Sequence, residues 1–131
     1  MGLKKILIID DSVFDRLIAK MVLQKNIQVN DVIVLESAQE GLDYISDKIS
    51  KPTELPEIIL LDIKMPKIDG FEFLERFAKL PKSVKSLSKI FMLSSSIDPE
   101  DIKKAKKSKY VTDFIEKPLT KEKIENLAIA F

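Results

Sequence analysis

The sequence predicts an α/β domain in which one sheet of five parallel strands is covered by helices on both faces. Two observations predict it. Short, branched apolar runs alternate with longer segments of helical spacing, and each connection is long enough for the helical crossover that parallel neighbours need. The runs are also apolar throughout, as in strands buried on both faces.

Ile6 to Ile9 is the first predicted strand. After it, Phe14, Leu17, Ile18, Met21 and Val22 form one apolar stripe of a first helix. Val32 to Leu35 is the second strand, and Ala38 to Ile49, with Leu42, Ile45 and Ile49, the second helix. The third pair is Ile58 to Leu61 and Phe71 to Leu80, the helix carrying Phe71, Leu74, Phe77 and Ala78. Ile90 to Leu93 precedes a fourth helix over Ile102 to Tyr110, and a weaker fifth strand around Phe114 and Ile115 precedes a last helix over Ile124 to Phe131. Ser37 with Glu40, and Asp69 with Glu72, have capping-box spacing, which satisfies backbone donors left without partners in a first helical turn. Asp98-Pro99 marks another helix start, because proline there gives up only an N–H that has no helical acceptor. Lys51 to Pro56 and Pro81 to Lys89 read as surface loops.

Composition narrows the chemistry. The 131 residues suit one domain, 1–131, with no room for an output domain. With 22 basic and 21 acidic side chains, no global field favours nucleic acid. The absence of cysteine and histidine excludes disulfides, Ser-His-Asp and Cys-His catalysis and the common zinc sites. Carboxylates, hydroxyls and lysines remain, a set suited to a hard, oxygen-ligated cation. The apolar run near the N-terminus ends in Asp10-Asp11 without a small-residue cleavage site, so it reads as a strand and not as a signal peptide. No segment approaches the roughly 18 apolar residues of a membrane span. A cytoplasmic protein without membrane insertion is expected.

In such a sheet, functional groups collect at the carboxyl ends of the strands. The first strand ends in Asp10-Asp11, the third in Asp62 and the fourth in Ser94-Ser95-Ser96, while the fifth runs into Lys117-Pro118. An acidic pair after a strand also serves simply to cap the next helix. Three carboxylates on one edge are different, since each pair at 4 Å repels by about 4 kcal/mol at an effective dielectric near 20. Mg²⁺ is the natural counterion for such a group.

Asp10-Asp11, the run Asp62-Ile63-Lys64-Met65-Pro66-Lys67-Ile68-Asp69-Gly70, Leu93-Ser94-Ser95-Ser96 and Lys117-Pro118 together resemble the receiver domains of response regulators, across essentially the whole chain. The resemblance implies a flavodoxin-like, CheY-like sheet in the order 2-1-3-4-5. It implies that Asp62 is the phosphoacceptor, that Asp11, Asp62 and the main-chain carbonyl of Lys64 hold Mg²⁺, and that Asp10 acts largely through water. Lys117 then pairs with Asp62 before reaction and with a phosphoryl oxygen afterwards, and the bond before Pro118 is often cis in this family. Ser94 matches the Ser/Thr hydroxyl that moves to the phosphoryl group, with Ser95 small enough to line the site. Phe114 matches the switch aromatic, where it replaces the tyrosine common in the family; an ordinary core phenylalanine is the alternative. Ser94 to Ser96 also resembles the small regulators associated with phytochrome kinases.

The resemblance implies a signalling phosphoacceptor that catalyses only its own phosphorylation and dephosphorylation. A sensor histidine kinase or histidine phosphotransfer protein would supply the phosphoryl group, and a downstream protein would read the face formed by the fourth helix, fifth strand and fifth helix. A homodimer through that face is a further option. Lys103, Lys104, Lys106, Lys107 and Lys109 lie in it, either as a docking surface for an acidic partner or as a solvated helix face over Ile102 and Ala105. Three rivals compete. A haloacid-dehalogenase-like phosphohydrolase needs two carboxylates spaced two residues apart after the first strand. A nucleotide binder needs a phosphate loop where Asp10-Asp11 stand. A receiver-like docking module would carry no phosphate at all.

Overall fold

The structure is a computed structural model and describes residues 3–95 and 98–128. In chain order its elements are β1 (Leu3–Ile9), α1 (Val13–Asn26), β2 (Val29–Leu35), α2 (Ala38–Asp47), β3 (Ile58–Asp62), α3 (Gly70–Phe77), α4 (Lys82–Leu87), β4 (Lys89–Ser94), α5 (Pro99–Lys107), β5 (Val111–Glu116) and α6 (Lys121–Ala128). The five strands are parallel and ordered β2-β1-β3-β4-β5, as the resemblance implies. The predicted fourth and fifth helices are α5 and α6. Ser96 and the last three residues of the predicted final helix lie outside the described residues. No helix among the described residues is long and apolar enough to cross a membrane.

Strand alternation divides the sheet between two cores. Leu7, Ile9, Ile59, Leu61, Ile90 and Met92 point to the side covered by α2, α3 and α5, where Ile45, Phe73, Phe77 and Ala105 are buried against them. Ile6, Ile8, Ile58, Leu60, Phe91 and Leu93 point to the other side, covered by Ala19 and Leu23 of α1 and Ile124 of α6. Each strand therefore needs apolar residues at consecutive positions, which is why the runs lack polar alternation.

Helix starts follow the sequence. The side chains of Ser37, Asp69 and Asp98 accept from the backbone N–H of Glu40, Glu72 and Glu100 respectively, and Pro99 opens α5. Three expectations need correction. Lys51 to Pro56 is more than a surface loop, since a 3-10 turn spans Pro52–Glu54 and Leu55 is buried in the core. Pro81 to Lys89 is not simply a surface loop: it contains the six-residue α4, whose Val84 is fully buried, while Ser88 Oγ donates to Pro56 O at 2.6 Å. The apolar stripe of the first helix is also largely turned away from the core. Phe14, Leu17 and Met21 are 70%, 61% and 67% exposed, whereas Ala19 and Leu23 face the sheet. At about 100° per residue those three lie roughly opposite Ala19, so α1 is apolar on both sides and the small alanine sets its contact line.

Candidate functional site

The site lies at the carboxyl edge of the sheet. Asp10 follows β1 directly and Asp62 is the last residue of β3; both are buried, while Asp11 is exposed. Carboxylate oxygens of Asp10, Asp11 and Asp62 all lie within 4.8 Å of one another. Asp10 is not the cap of α1. That cap is Ser12, which accepts from the N–H of Asp15, while Asp10 Oδ1 accepts from the N–H of Ser12 at 2.9 Å. The β1–α1 turn is therefore folded around a carboxylate whose second oxygen remains available.

Lys117 takes that oxygen. Its Nζ stands 2.7 Å from Asp10 Oδ2, 2.9 Å from Asp15 Oδ2 and 3.5 Å from Asp62 Oδ1. The expected approach to Asp62 is present, but it is the longest of the three. Lys117 is placed by the end of β5: its N–H donates to Ser94 O at 2.8 Å, and the Lys117–Pro118 bond is cis. Ser94 ends β4 and is buried. Ser95 is exposed and helps line a cleft of about 230 Å³ beside Lys117, walled also by Phe14, Asp15, Ile18 and Leu119.

Burial pushes the Asp62 carboxyl up, the charge of Asp10 pushes it further and Lys117 opposes both, leaving it at about 7 against an ordinary 3.8. For Lys117, burial works against the charge, but hydrogen bonds to Asp10 and Asp15 and the field of Asp62 outweigh it and hold the ammonium above its ordinary range. A single ammonium thus does not neutralise the group. The donors are all oxygens, they converge, and Asp62 among them resists ionisation because it is buried beside Asp10, so the residues fit the Mg²⁺ that the resemblance implies.

The β3–α3 loop is held by the N–H of Gly70 donating to Ile63 O at 2.9 Å, and it turns at Lys67, whose φ is 68°. Lys64 lies in this loop and extends away from the acidic group, its Nζ 3.5 Å from Asp101 Oδ2 on α5. Phe114, paired with Met92 across β4 and β5, is half-buried against the core that contains Met92. The lysines at 103, 104, 106, 107 and 109 are exposed, with Ala105 buried and Ile102 half-buried beneath them.

Sequence reasoning missed two residues. Arg16 donates from Nη1 to Asp10 O at 2.8 Å and tethers the turn. Asp15, on the first turn of α1, reaches Lys117. The signal for Asp15 was positional, since it stands one turn before Ala19 on the side of α1 that meets the sheet.

A family model described as response regulator receiver domain matches residues 6–129. The chemotaxis protein CheY of Listeria monocytogenes is 30% identical over 122 residues, covering 92% of this chain and 91% of its own. The two-component response regulator ORR1 of Oryza sativa subsp. japonica is 26% identical and covers 96% of this chain, which spans 54% of that regulator's length. Among solved structures, a two-component response regulator from Cytophaga hutchinsonii superposes with a TM-score of 0.92 at 28% identity, covering 99% of this chain and 97% of that one.

Proposed function

We propose, from the premise that this chain belongs to the response regulator receiver domain family, that Asp62 accepts a phosphoryl group and that the added charge changes which protein the domain binds. The observation that carries this reading is the buried Asp62 carboxylate within reach of Lys117 and of two further carboxylates at one sheet edge. An oxygen of Asp62 forms the new bond to phosphorus as the donor's bond to phosphorus breaks, so phosphohistidine departs as histidine and acetyl phosphate as acetate. Loss of the group is hydrolysis, in which water adds to phosphorus, releasing inorganic phosphate and restoring the carboxylate. When bound, Mg²⁺ would be held by Asp11, Asp62 and the Lys64 main-chain carbonyl, with Asp10 acting through water, and it neutralises phosphoryl oxygens.

The residues of the chain supply position and charge. Lys117 keeps its proton and offsets the charge that arrives with the phosphoryl group, about −1.5 to −2. Ser94, at the end of β4, donates its hydroxyl to a phosphoryl oxygen. Phe114, half-buried two strands from Asp62, shifts inward as that hydroxyl moves, which biases the face formed by α5, β5 and α6. Lys103, Lys106 and Lys107 of α5 are exposed, and an acidic downstream protein is the partner that this helix would suit. The upstream donor is a sensor histidine kinase or a histidine phosphotransfer protein in the cytoplasm, and the chain acts on no other substrate.

Intact-mass spectrometry after incubation with acetyl phosphate tests the proposal. Mg²⁺-dependent gain of one phosphoryl group, absent in Asp62→Asn, is the expected result. No gain under conditions that label another receiver domain overturns it in favour of a phosphate-independent docking module.

A further inference from the structure

We infer that Asp15 is a positioning residue that holds the Lys117 ammonium in the unphosphorylated protein and thereby sets how readily Lys117 moves to a phosphoryl group on Asp62. The inference rests on the phosphoacceptor reading above. Lys117 Nζ has three protons to donate. Two of its contacts are short, to Asp10 Oδ2 at 2.7 Å and Asp15 Oδ2 at 2.9 Å, whereas Asp62 Oδ1 lies at 3.5 Å. Asp15 is therefore a nearer partner for Lys117 than the residue that Lys117 serves.

The two short contacts differ in what they are tied to. Asp10 is fixed by the N–H of Ser12 and belongs to the group of carboxylates that can hold a cation. Asp15 is outside that group, stands on α1, and is about a third exposed, at 36%. Its backbone is set by the cap of the helix, where its own N–H donates to Ser12 Oγ. Asp15 can thus compete for the ammonium without contributing to the cation site. A phosphoryl group on Asp62 presents more charge than the carboxylate it replaces, so Lys117 is drawn toward it and away from Asp15. The strength of the Asp15 contact opposes that move, and the phosphorylated state is correspondingly less favoured.

A purely structural role has the opposite sign. Asp15 favours the positive end of α1, and losing it for that reason alone would lower stability and labelling together. Release of Lys117 instead raises labelling. The test is a titration with acetyl phosphate in Mg²⁺, read by intact mass, for wild type, Asp15→Asn, Asp15→Glu and Glu36→Gln. Glu36 is the charge control: it sits at the same sheet edge but pairs with Arg16 at 3.8 Å. For Asp15→Asn the acetyl phosphate concentration giving half-maximal labelling is expected to fall about two- to fivefold, the range set by a partly exposed ion pair. Asp15→Glu and Glu36→Gln should stay near wild type. An unchanged or raised value for Asp15→Asn overturns the inference, as does an equal fall in Glu36→Gln, which would make the effect one of general charge. Failure of wild type to label at all overturns the phosphoacceptor reading and the inference with it, whereas a labelled wild type with an unresponsive Asp15→Asn overturns the inference alone.

Discussion

Lys64 Nζ lies 3.5 Å from Asp101 Oδ2, a buried oxygen with no hydrogen-bond partner. The pair joins the loop that follows Asp62 to the first turn of α5, a helix with one fully buried apolar residue, Ala105. Lys64→Ala removes both the side chain that ties the loop after Asp62 to α5 and the charge opposite Asp101. Faster loss of the phosphoryl group is expected in Lys64→Ala, with a change in the same direction for Asp101→Asn, because either substitution dissolves the pair. Decay of the phosphorylated mass after removal of acetyl phosphate measures this, and identical decay in wild type and both variants would refute it.

The raised Asp62 carboxyl makes the metal-free protein sensitive to pH. Its folded value of about 7 exceeds the ordinary 3.8, so between those limits the folded state holds a proton that the unfolded chain has released. The resulting stabilisation is fully present below about pH 4 and is lost progressively up to about pH 7, by at most about 1.4 kcal/mol per pH unit. Urea unfolding with chelator at several pH values should show this decline, and Asp62→Asn should flatten it. Saturating Mg²⁺ should raise stability above pH 7, by about 2.7 kcal/mol at a hundredfold excess over its dissociation constant. Equal slopes for wild type and Asp62→Asn would sink the assignment.

Gly70 offers a geometric test of how the loop supports the site. A Cβ there would stand 2.6 Å from Asp62 O, 2.9 Å from the Met92 methyl and 3.0 Å from Ile63 Cα. Two of these neighbours are backbone of the segment that carries Asp62, so relief of the clash requires Asp62 itself to move. Gly70→Ala is expected to cost about 1 to 3 kcal/mol and to reduce labelling by acetyl phosphate. Unfolding midpoints and labelling rates indistinguishable from wild type would mean that the loop yields without disturbing Asp62.

The strands and the strand-end residues were legible because both follow from burial on two faces: runs such as Ile58 to Leu61 have no polar position to spare, and Asp62 stands where the chain leaves the sheet. Asp15 and Arg16 were less legible because their roles depend on the rotation of α1 about its axis, which the apolar pattern misindicated. With apolar residues on opposite sides, spacing alone could not say which side meets the sheet. The helix α4 was hidden for another reason, since Pro81, Lys82, Ser83 and Ser86 give it the composition of a turn and one residue, Val84, anchors it.

The rotation of α1 predicts a contrast between neighbouring apolar residues of one helix. Leu23 is buried against the sheet with Ile6 and Ile8, whereas Leu17 is 61% exposed. Leu23→Ala should therefore cost about 2 to 5 kcal/mol, the range for removing a buried leucine side chain and leaving a cavity. Leu17→Ala and Met21→Ala should each change stability by no more than about 0.5 kcal/mol, as surface substitutions do. Alanine is also a good helix former, so the exposed substitutions introduce no opposing backbone cost. Denaturant unfolding of the three variants decides the matter: comparable losses at positions 17 and 23 would mean that the stripe Phe14, Leu17 and Met21 is covered in the folded protein and that α1 is rotated from the orientation described above.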